Sequence, residues 1–314
     1  MREPPPHVTD DDVLAAVRSH WDDTVTEVAH LPVGFGAHHW SARGPARQLV
    51  FVTFDGLAAR HSAASLESTY AAAAALAETG LDFVLAPLAA YGGSRTVRTA
   101  DGALSVTAWI DGDSGGGPLR DRAEAEETAA LLTRLHAAPP PPRALRWKPL
   151  VPARYAAELA LELGRPWTSG PYGERVRLSL GERIADIGRW VATYHRLAAM
   201  AATRSWVTTH GEPHSANQLV TSTGRLLVDW ESLRVAPAER DLRVLVQDGH
   251  ADLCEPDWPM IELFDLEWRL EEIVSYARWF LAPHTGTASD EVAWGGLRGE
   301  LERPEWSPPS PRPP

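Results

Sequence analysis

The chain has 314 residues, of which 44% are hydrophobic and 23% are charged, as is ordinary for a globular protein with a sizeable core. Its formal net charge of −12 argues against a nucleic-acid-binding protein, which would normally present a basic face. Cys254 is the only cysteine, so an intrachain disulfide is excluded. Residues 1–12 lack the features of a secretory signal, and no apolar run is long enough to span a membrane. We therefore expect a cytoplasmic protein without membrane attachment.

The N-terminal part of the chain is predicted to be rich in β-structure. Thr9 is a suitable N-cap for a first helix, since three aspartates follow it and Val13 and Val17 form an apolar stripe. Branched and aromatic residues between glycine-containing turns then predict strands around one alanine-rich helix. The predicted elements are a helix over 9–20, a strand over 24–33, a turn over 34–36, strands over 38–42 and 48–54, a helix over 62–79, and short strands within 81–91 and 95–110.

The C-terminal part is predicted to be mainly helical, because its apolar residues recur at helical spacing. A strand at 206–209 and a β-hairpin interrupt the helices; the hairpin has strands at 218–221 and 226–228 and turns at Gly224. The glycine- and acid-rich segment 111–118 is interpreted as a linker. The predicted helices cover 121–137, 152–163, 174–200, 259–282 and 288–302.

This order of elements predicts an α+β fold with two lobes and a cleft between them. The β-rich N-terminal lobe is expected to span 1–110 and the helical C-terminal lobe 111–302. Residues 303–314 are half proline and are predicted to form a disordered tail.

The most informative motif is His210-Gly211-Glu212 with Asn217, followed by Asp229. A histidine, an acid and an asparagine on one loop, with a later aspartate, are typical of the catalytic loop of kinase-like phosphotransferases. Asp229 directly follows three aliphatic residues, where burying an acid is unfavourable unless a cation or strong donors meet it. The competing interpretation is a simple hairpin with a histidine–asparagine hydrogen bond and a solvated Asp-Trp-Glu turn. The hairpin context and the position late in the chain favour the functional interpretation.

On these motifs the chain resembles the aminoglycoside phosphotransferase family, relatives of choline kinases on the protein-kinase-like fold. The resemblance implies a bilobal protein-kinase-like fold and Mg²⁺-dependent phosphoryl transfer from ATP or GTP. It places Glu212 at the catalytic-base position, where most such loops carry aspartate, and His210 as a brace for the loop. It places Asn217 and Asp229 at the magnesium positions. The similar segments are 31–36, 131–136, 210–217, 227–231 and 237–242.

The resemblance also implies that the glycine loop Gly34-Phe35-Gly36 covers the triphosphate, although an ordinary hairpin turn has the same composition. The third strand departs from the family pattern. Thr53 stands where the family has a lysine that holds the phosphates, and Lys148, the only lysine, lies in the other predicted lobe.

Two explanations of the missing lysine remain open at this point. Either another group such as His38, His39 or an arginine contacts the phosphates, or nucleotide binding is weakened. Glu67 in the following helix is either the former partner of the lysine or an ordinary exposed glutamate.

For the acceptor, the resemblance suggests acids and aromatics of the C-terminal part, with Glu231, Glu271 and Trp279 as candidates. The predicted function is a kinase that phosphorylates a hydroxyl of an aminoglycoside-like or other polar, cationic small molecule. The alternative is a catalytically impaired kinase-like protein that only binds a nucleotide or ligand. No nucleic-acid partner is expected, and the protein is expected to be a monomer or a homodimer.

Overall fold

The computed structural model describes residues 1–45, 49–57, 61–119 and 121–306. Within these ranges the chain forms two compact units. The first unit combines residues 1–147 with 206–254, and the second combines 148–205 with the residues from 255 onward. In the described part of the chain, no helix combines the length and the hydropathy needed to cross a membrane.

The helices are numbered along the chain within the described residues. They are α1 Asp10–His20, α2 Ala63–Glu78, α3 Arg122–Ala137, α4 Tyr155–Leu163, α5 Gly173–Ala201, α6 Glu239–Gln247, α7 Trp258–Leu281 and α8 Ala288–Glu302.

The strands are numbered in the same way. They are β1 Glu27–Leu31, β2 His38–Arg43, β3 Leu49–Gly56, β4 Val97–Arg98, β5 Gly102–Ala108, β6 Asp113–Ser114, β7 Val207–Thr209, β8 Gln218–Thr221, β9 Gly224–Leu227 and β10 Arg234–Ala236.

The main sheet of the first unit is antiparallel, with the strand order β1-β2-β3-β5-β4. Helix α1 begins at Thr9, whose hydroxyl and backbone form a capping box with Asp12. The helix buries Val13 and Val17 in one cluster with Trp40 of β2 and with alternate residues of β3 and β5. Because strand side chains alternate between faces, this cluster defines the α1 face of the sheet.

The opposite face of the sheet carries Thr53 and Asp55 of β3, since Val52 and Phe54 point to α1. On that face Tyr70 of α2 donates a hydrogen bond to Asp55 at 3.2 Å. Other α2 residues, with Tyr70, are buried in a cluster that includes Leu227 and Trp230, on either side of Asp229. The sheet, α2 and the Asp229 turn therefore belong to one packed core.

Most predicted elements are confirmed, but the strand predicted within 81–91 is wrong. Val84 forms an isolated bridge with Leu227, and the rest of the segment is irregular. Pro87 has no N–H for a strand ladder. The bridge to β9 consists of two bonds to Leu227, whose N–H donates to the carbonyl of Phe83 at 2.7 Å and whose carbonyl accepts from the N–H of Leu85 at 3.1 Å. The predicted linker 111–118 contains β6, which pairs with β8. Helix α6 was not predicted, and Gln48, at the start of a predicted strand, lies outside the described residues.

In the second unit, α5 and α7 pack along each other, and buried polar contacts connect them. Tyr194 of α5 donates to the buried Glu267 of α7 at 2.5 Å. The predicted disordered tail is not supported for residues 303–306, because Arg303 donates to both oxygens of Asp265 at 2.7 and 3.0 Å. The rest of the predicted tail, 307–314, lies outside the described residues.

Candidate active site

His210 lies at the end of β7 and is completely buried. Its Nδ1 accepts a hydrogen bond from the backbone N–H of Glu212 at 3.2 Å, so its Nε2 carries the proton and donates to the carbonyl of Val228 at 2.8 Å. The ring also packs on Trp230, with the ring centroids 4.5 Å apart. Burial lowers the pKa of His210 to about 4, so the ring is neutral at physiological pH. It acts as a neutral brace between two loops.

Asp241, at the start of α6, holds the same loop from the other side. Its carboxylate accepts hydrogen bonds from the backbone N–H of His210 at 3.0 Å and of Gly211 at 2.7 Å. His136 of α3 contacts it through Nε2 at 2.9 Å. Burial alone would raise the pKa of Asp241, but the His136 hydrogen bond and the other contacts outweigh burial and hold the pKa below its ordinary value. An ionised, fully buried carboxylate therefore fixes the loop backbone.

Gly211 must be a glycine for two reasons. Its φ is +102°, in the left-handed region, and a Cβ added to it would overlap the guanidinium of Arg240. That guanidinium is itself held by the carbonyl of Ser232 at 2.8 Å and by the hydroxyl of Thr209 at 3.2 Å. The loop thus passes directly over a buried arginine.

Glu212 and Asn217 are brought together by this loop. The side-chain amide of Asn217 donates from Nδ2 to the carbonyl of Glu212 at 3.0 Å, which leaves the amide oxygen as the end of that side chain suited to a cation. The hydroxyl of Ser232 donates to Oε1 of Glu212 at 2.8 Å. One carboxylate oxygen of Glu212 is thereby oriented by the protein.

The backbone next to Asp229 is bonded to the loop: the N–H of Val228, the preceding residue, donates to the carbonyl of Asn217 at 3.0 Å. Asp229 is exposed and has φ +63° and ψ +65°, a left-handed backbone that is unfavourable for a residue with a Cβ. Across the described ranges, no three His, Cys, Asp or Glu side chains are grouped around a possible metal position. An amide oxygen and one carboxylate nevertheless fit Mg²⁺, which commonly takes few protein ligands and completes its shell with water and phosphate.

Glu231 lies in a 3-10 turn just after Asp229 and faces the buried side chain of His61. His61 approaches it, with Nε2 of His61 3.5 Å from Oε2 of Glu231. Burial, and next the nearby Glu231 carboxylate, raise the pKa of Asp55 well above its ordinary value. The Asp229–Glu231 turn is therefore close to the face of β3 that carries Thr53.

The glycine loop contains two left-handed residues, Gly34 at φ +69° and Gly36 at φ +100°, with Phe35 between them 40% exposed. Below the loop, Nδ1 of His39 lies 3.2 Å from the hydroxyl of Thr53. The loop thus has the backbone freedom that close approach to a ligand requires.

His38 and Glu67, two other residues considered from sequence, have structural partners. His38 is on the α1 face and its Nδ1 contacts the carbonyl of Glu3 at 3.0 Å, while burial lowers its pKa to about 4. Glu67 accepts hydrogen bonds from the backbone N–H groups of Arg95 and Thr96 at 2.8–3.0 Å. Glu67 therefore anchors the 95–96 segment.

The remaining candidates, Glu271 and Trp279, lie on α7 in the second unit. The indole N–H of Trp279 donates to Asp290 of α8 at 2.7 Å. Glu271 is one helical turn from Glu267, and its charge is among those that raise the pKa of Tyr194, after burial and Glu267.

Several residues of the candidate site were not singled out from sequence. Asp241 and His136 were noted only as parts of similar segments, although both stand out as polar residues beside apolar ones. Asp55 ends the run Leu-Val-Phe-Val-Thr-Phe, and an acid in such a run is a detectable signal. Ser232 and Arg240 carry no local signal, because their role depends on the loop that packs over them.

Comparison with known proteins places the chain among phosphotransferases. A profile described as the phosphotransferase enzyme family matches residues 31–278. Protein StrN of Streptomyces griseus is 30% identical over 246 residues, which cover 73% of this chain and 75% of StrN. Among solved structures, spectinomycin phosphotransferase in complex with ADP and spectinomycin has a TM-score of 0.73 at 15% identity, covering 95% of this chain and 96% of the other. A microcompartment-associated aminopropanol kinase has a TM-score of 0.58 at 15% identity, covering 93% and 95%. These similarities confirm the predicted α+β, protein-kinase-like fold.

Proposed function

The chain belongs to the phosphotransferase enzyme family, and from this membership we propose that it is a Mg²⁺-dependent small-molecule kinase. It transfers the γ-phosphate of ATP or GTP to a hydroxyl of an aminoglycoside-like or other polar, cationic metabolite. The observation that supports the proposal is a set of hydrogen bonds between the segments of Glu212, Asn217 and Asp229. The Asn217 amide donates to the carbonyl of Glu212, and Val228, directly before Asp229, bonds to both Asn217 and His210. The nucleotide is assigned to residues 1–110 and the acceptor pocket to the helical part of 111–302.

In this mechanism Glu212 orients the acceptor hydroxyl and accepts its proton as the phosphate is transferred. The hydroxyl of Ser232 donates to Oε1 of Glu212 at 2.8 Å, which orients the carboxylate for this role. Glutamate is one methylene longer than aspartate, and the Ser232 hydrogen bond restricts that longer side chain to one orientation. Positioning of this kind is most of what a phosphoryl-transfer enzyme must supply.

Asn217 and Asp229 would hold Mg²⁺ through the amide oxygen and the carboxylate. The ion neutralises charge on the phosphate oxygens when it is bound. Asp229 suits this role because it is exposed and its backbone is left-handed, which is unfavourable for a residue with a Cβ. Strain of this kind concentrates at functional sites.

The proposed acceptor class rests on chemistry shared by the structural relatives, which include kinases of spectinomycin and aminopropanol. Glu231, Glu271 and Trp279 are proposed as acceptor-binding residues, since carboxylates and aromatic rings bind ammonium groups. The net charge of −12 is favourable for a cationic substrate.

The test is a transfer assay with purified protein, Mg²⁺, ATP or GTP, and a panel of aminoglycosides and amino alcohols, in which mass spectrometry detects a phosphorylated product. Asp229→Asn is the matched control because asparagine tolerates the left-handed backbone but lacks the charge. We expect transfer by the wild type alone. If nucleotide raises the unfolding temperature but no acceptor is phosphorylated, the protein is the kinase-like binding protein instead.

A further inference from the structure

His39 and Thr53 face each other in the main sheet, and both lie on the face that looks away from α1. They are directly paired in the register of β2 and β3, and Nδ1 of His39 is 3.2 Å from the Thr53 hydroxyl. The His39 ring is packed on Phe51, the next residue of β3 on the same face, with the ring centroids 4.9 Å apart. The ring is therefore fixed in place by two neighbours.

The free edge of this ring lies directly under the glycine loop. A Cβ built on Gly34 would be 3.1 Å from Nε2 of His39, so the backbone of the loop and the imidazole are close neighbours. Two residues beyond Thr53 on the same face is Asp55, which is near Glu231 of the Asp229 turn. His39 and Thr53 thus lie between the glycine loop and the proposed Mg²⁺ residues. Kinase-fold enzymes bind the phosphates of the nucleotide between these two features.

The protonation of His39 defines what it can offer to a phosphate. Burial, with a smaller contribution from the positive charge of the Met1 amino group, lowers the pKa of His39 to about 3, so the ring is neutral at physiological pH. When Nδ1 accepts the hydroxyl hydrogen of Thr53, the single ring proton resides on Nε2, which makes Nε2 a donor under the loop. The opposite tautomer would aim a lone pair at the phosphates.

We propose that His39, oriented by Thr53, donates a hydrogen bond from Nε2 to a phosphate of the bound nucleotide. The donor is an uncharged imidazole, and it takes the place of the strand lysine that other kinase-fold enzymes use. The inference rests on the nucleotide-dependent function proposed above and adds a specific nucleotide-binding residue to it.

The experiment is calorimetric titration of the purified full chain with Mg²⁺ and four ligands: adenosine, ADP, guanosine and GDP. His39→Phe keeps the aromatic contact with Phe51 but has no donor, while His39→Gln places an amide N–H near the position of Nε2. Thr53→Val removes the hydroxyl that orients the ring, and Thr53→Ser restores it. His38→Phe is the control, because it replaces the neighbouring histidine on the α1 face.

We expect His39→Phe to weaken binding of the diphosphate about tenfold, the range of a hydrogen bond to a charged group, with nucleoside binding unchanged. His39→Gln should regain most of that loss, and Thr53→Val should show a smaller loss than His39→Phe. The ratio of diphosphate to nucleoside affinity is the decisive quantity, because partial unfolding affects both ligands equally and leaves the ratio unchanged.

The inference is overturned if the wild type binds a diphosphate but His39→Phe leaves this ratio at the wild-type value. It is also overturned if His38→Phe lowers the ratio as much as His39→Phe does. Absence of any nucleotide binding by the wild type would instead contradict the proposed function itself, so the two failures are distinguishable.

Discussion

The imidazole of His210 donates a hydrogen bond to the carbonyl of Val228 at 2.8 Å. His210 lies two positions before Glu212, the proposed base, and Val228 lies directly before Asp229, a proposed metal ligand. The bond therefore links the two parts of the proposed site. The N–H of Val228 is bound by Asn217, so both backbone groups of Val228 are held by the loop. The distance between the proposed base and the proposed Mg²⁺ position therefore depends on a ring that is completely buried.

The first prediction concerns this clamp. His210→Phe keeps a ring against Trp230 but leaves the Val228 carbonyl and the Glu212 N–H without their partner. We expect a loss of about 1–3 kcal/mol in the free energy of unfolding, the range for an unsatisfied buried polar group. We also expect a higher Mg²⁺ requirement for transfer, measured as the Mg²⁺ concentration at half-maximal rate. An unchanged Mg²⁺ requirement in a folded variant would contradict the positioning role.

The second prediction separates stability from activity at Asp229. Asp229→Gly should be more stable than Asp229→Ala by about 1 kcal/mol, because a left-handed backbone is unfavourable for a residue with a Cβ but not for glycine. Both variants should lose phosphoryl transfer. Urea unfolding and the transfer assay measure the two properties independently. Equal stability of the two variants would show that the left-handed conformation is absent in solution.

The third prediction tests the contact between Gly211 and Arg240. Gly211→Ala should lower the free energy of unfolding by more than about 2 kcal/mol, since it adds both left-handed strain and a clash with a buried guanidinium. Gly116→Ala is the matched control, because a Cβ there meets nothing within 4 Å. That variant should be within about 0.5 kcal/mol of the wild type. Chemical denaturation of both variants provides the comparison.

The fourth prediction is a pH dependence of stability. The pKa of His210 is 6.5 in the unfolded chain and about 4 in the folded one, so the unfolded state binds the proton first as pH falls. The contribution of the neutral His210 ring to the free energy of unfolding is therefore fully present above pH 6.5. It is lost as pH falls towards 4, at about 1.4 kcal/mol per pH unit. The ionisable groups around the ring are Asp241, Glu212 and His214. Urea unfolding at a series of pH values from 7.5 to 4.5 measures the free energy of unfolding. That free energy should fall less steeply with falling pH for His210→Phe than for the exposed control His7→Asn.

The fifth prediction distinguishes an anchor from a catalytic residue at Glu67. Glu67→Gln retains an acceptor for the N–H groups of Arg95 and Thr96 but removes the charge that strengthens those bonds. We expect a loss of about 1 kcal/mol in the free energy of unfolding and unchanged transfer kinetics. A loss of turnover in a variant of normal stability would assign Glu67 to nucleotide binding instead.

Local sequence patterns were sufficient to predict the α+β fold. They were also sufficient to predict that the 210–217 loop and Asp229 belong to one phosphotransferase site. The helices follow from apolar spacing, and the pairing of the Asn217 and Asp229 segments follows from the hairpin that connects them. The roles of Glu212, Asn217 and Asp229 remain predictions that the experiments above address.

Other features depend on contacts between residues far apart in the chain, and local patterns do not contain them. The carboxylate of Asp241 meets the loop because α6 packs on α3, which also packs on β7. The segment 81–91 meets β9 in a single bridge between Val84 and Leu227, and a single bridge does not make a strand. The protonation of His39 was equally inaccessible from sequence. A histidine in a strand is charged or neutral according to its burial, and burial is decided by the complete fold.

The bonds from Asp241 to His210 and Gly211 have a consequence for the transfer of this site to other proteins. Residues 210–217 contain the recognisable motif, but the groups that hold the backbone of that motif arrive about thirty residues later in the chain. Grafting the eight-residue motif onto another scaffold would therefore transfer its side chains without their arrangement. The smallest segment that contains both the motif and its support runs from Thr209 to Asp241, and even that segment needs His136 of α3 beneath it.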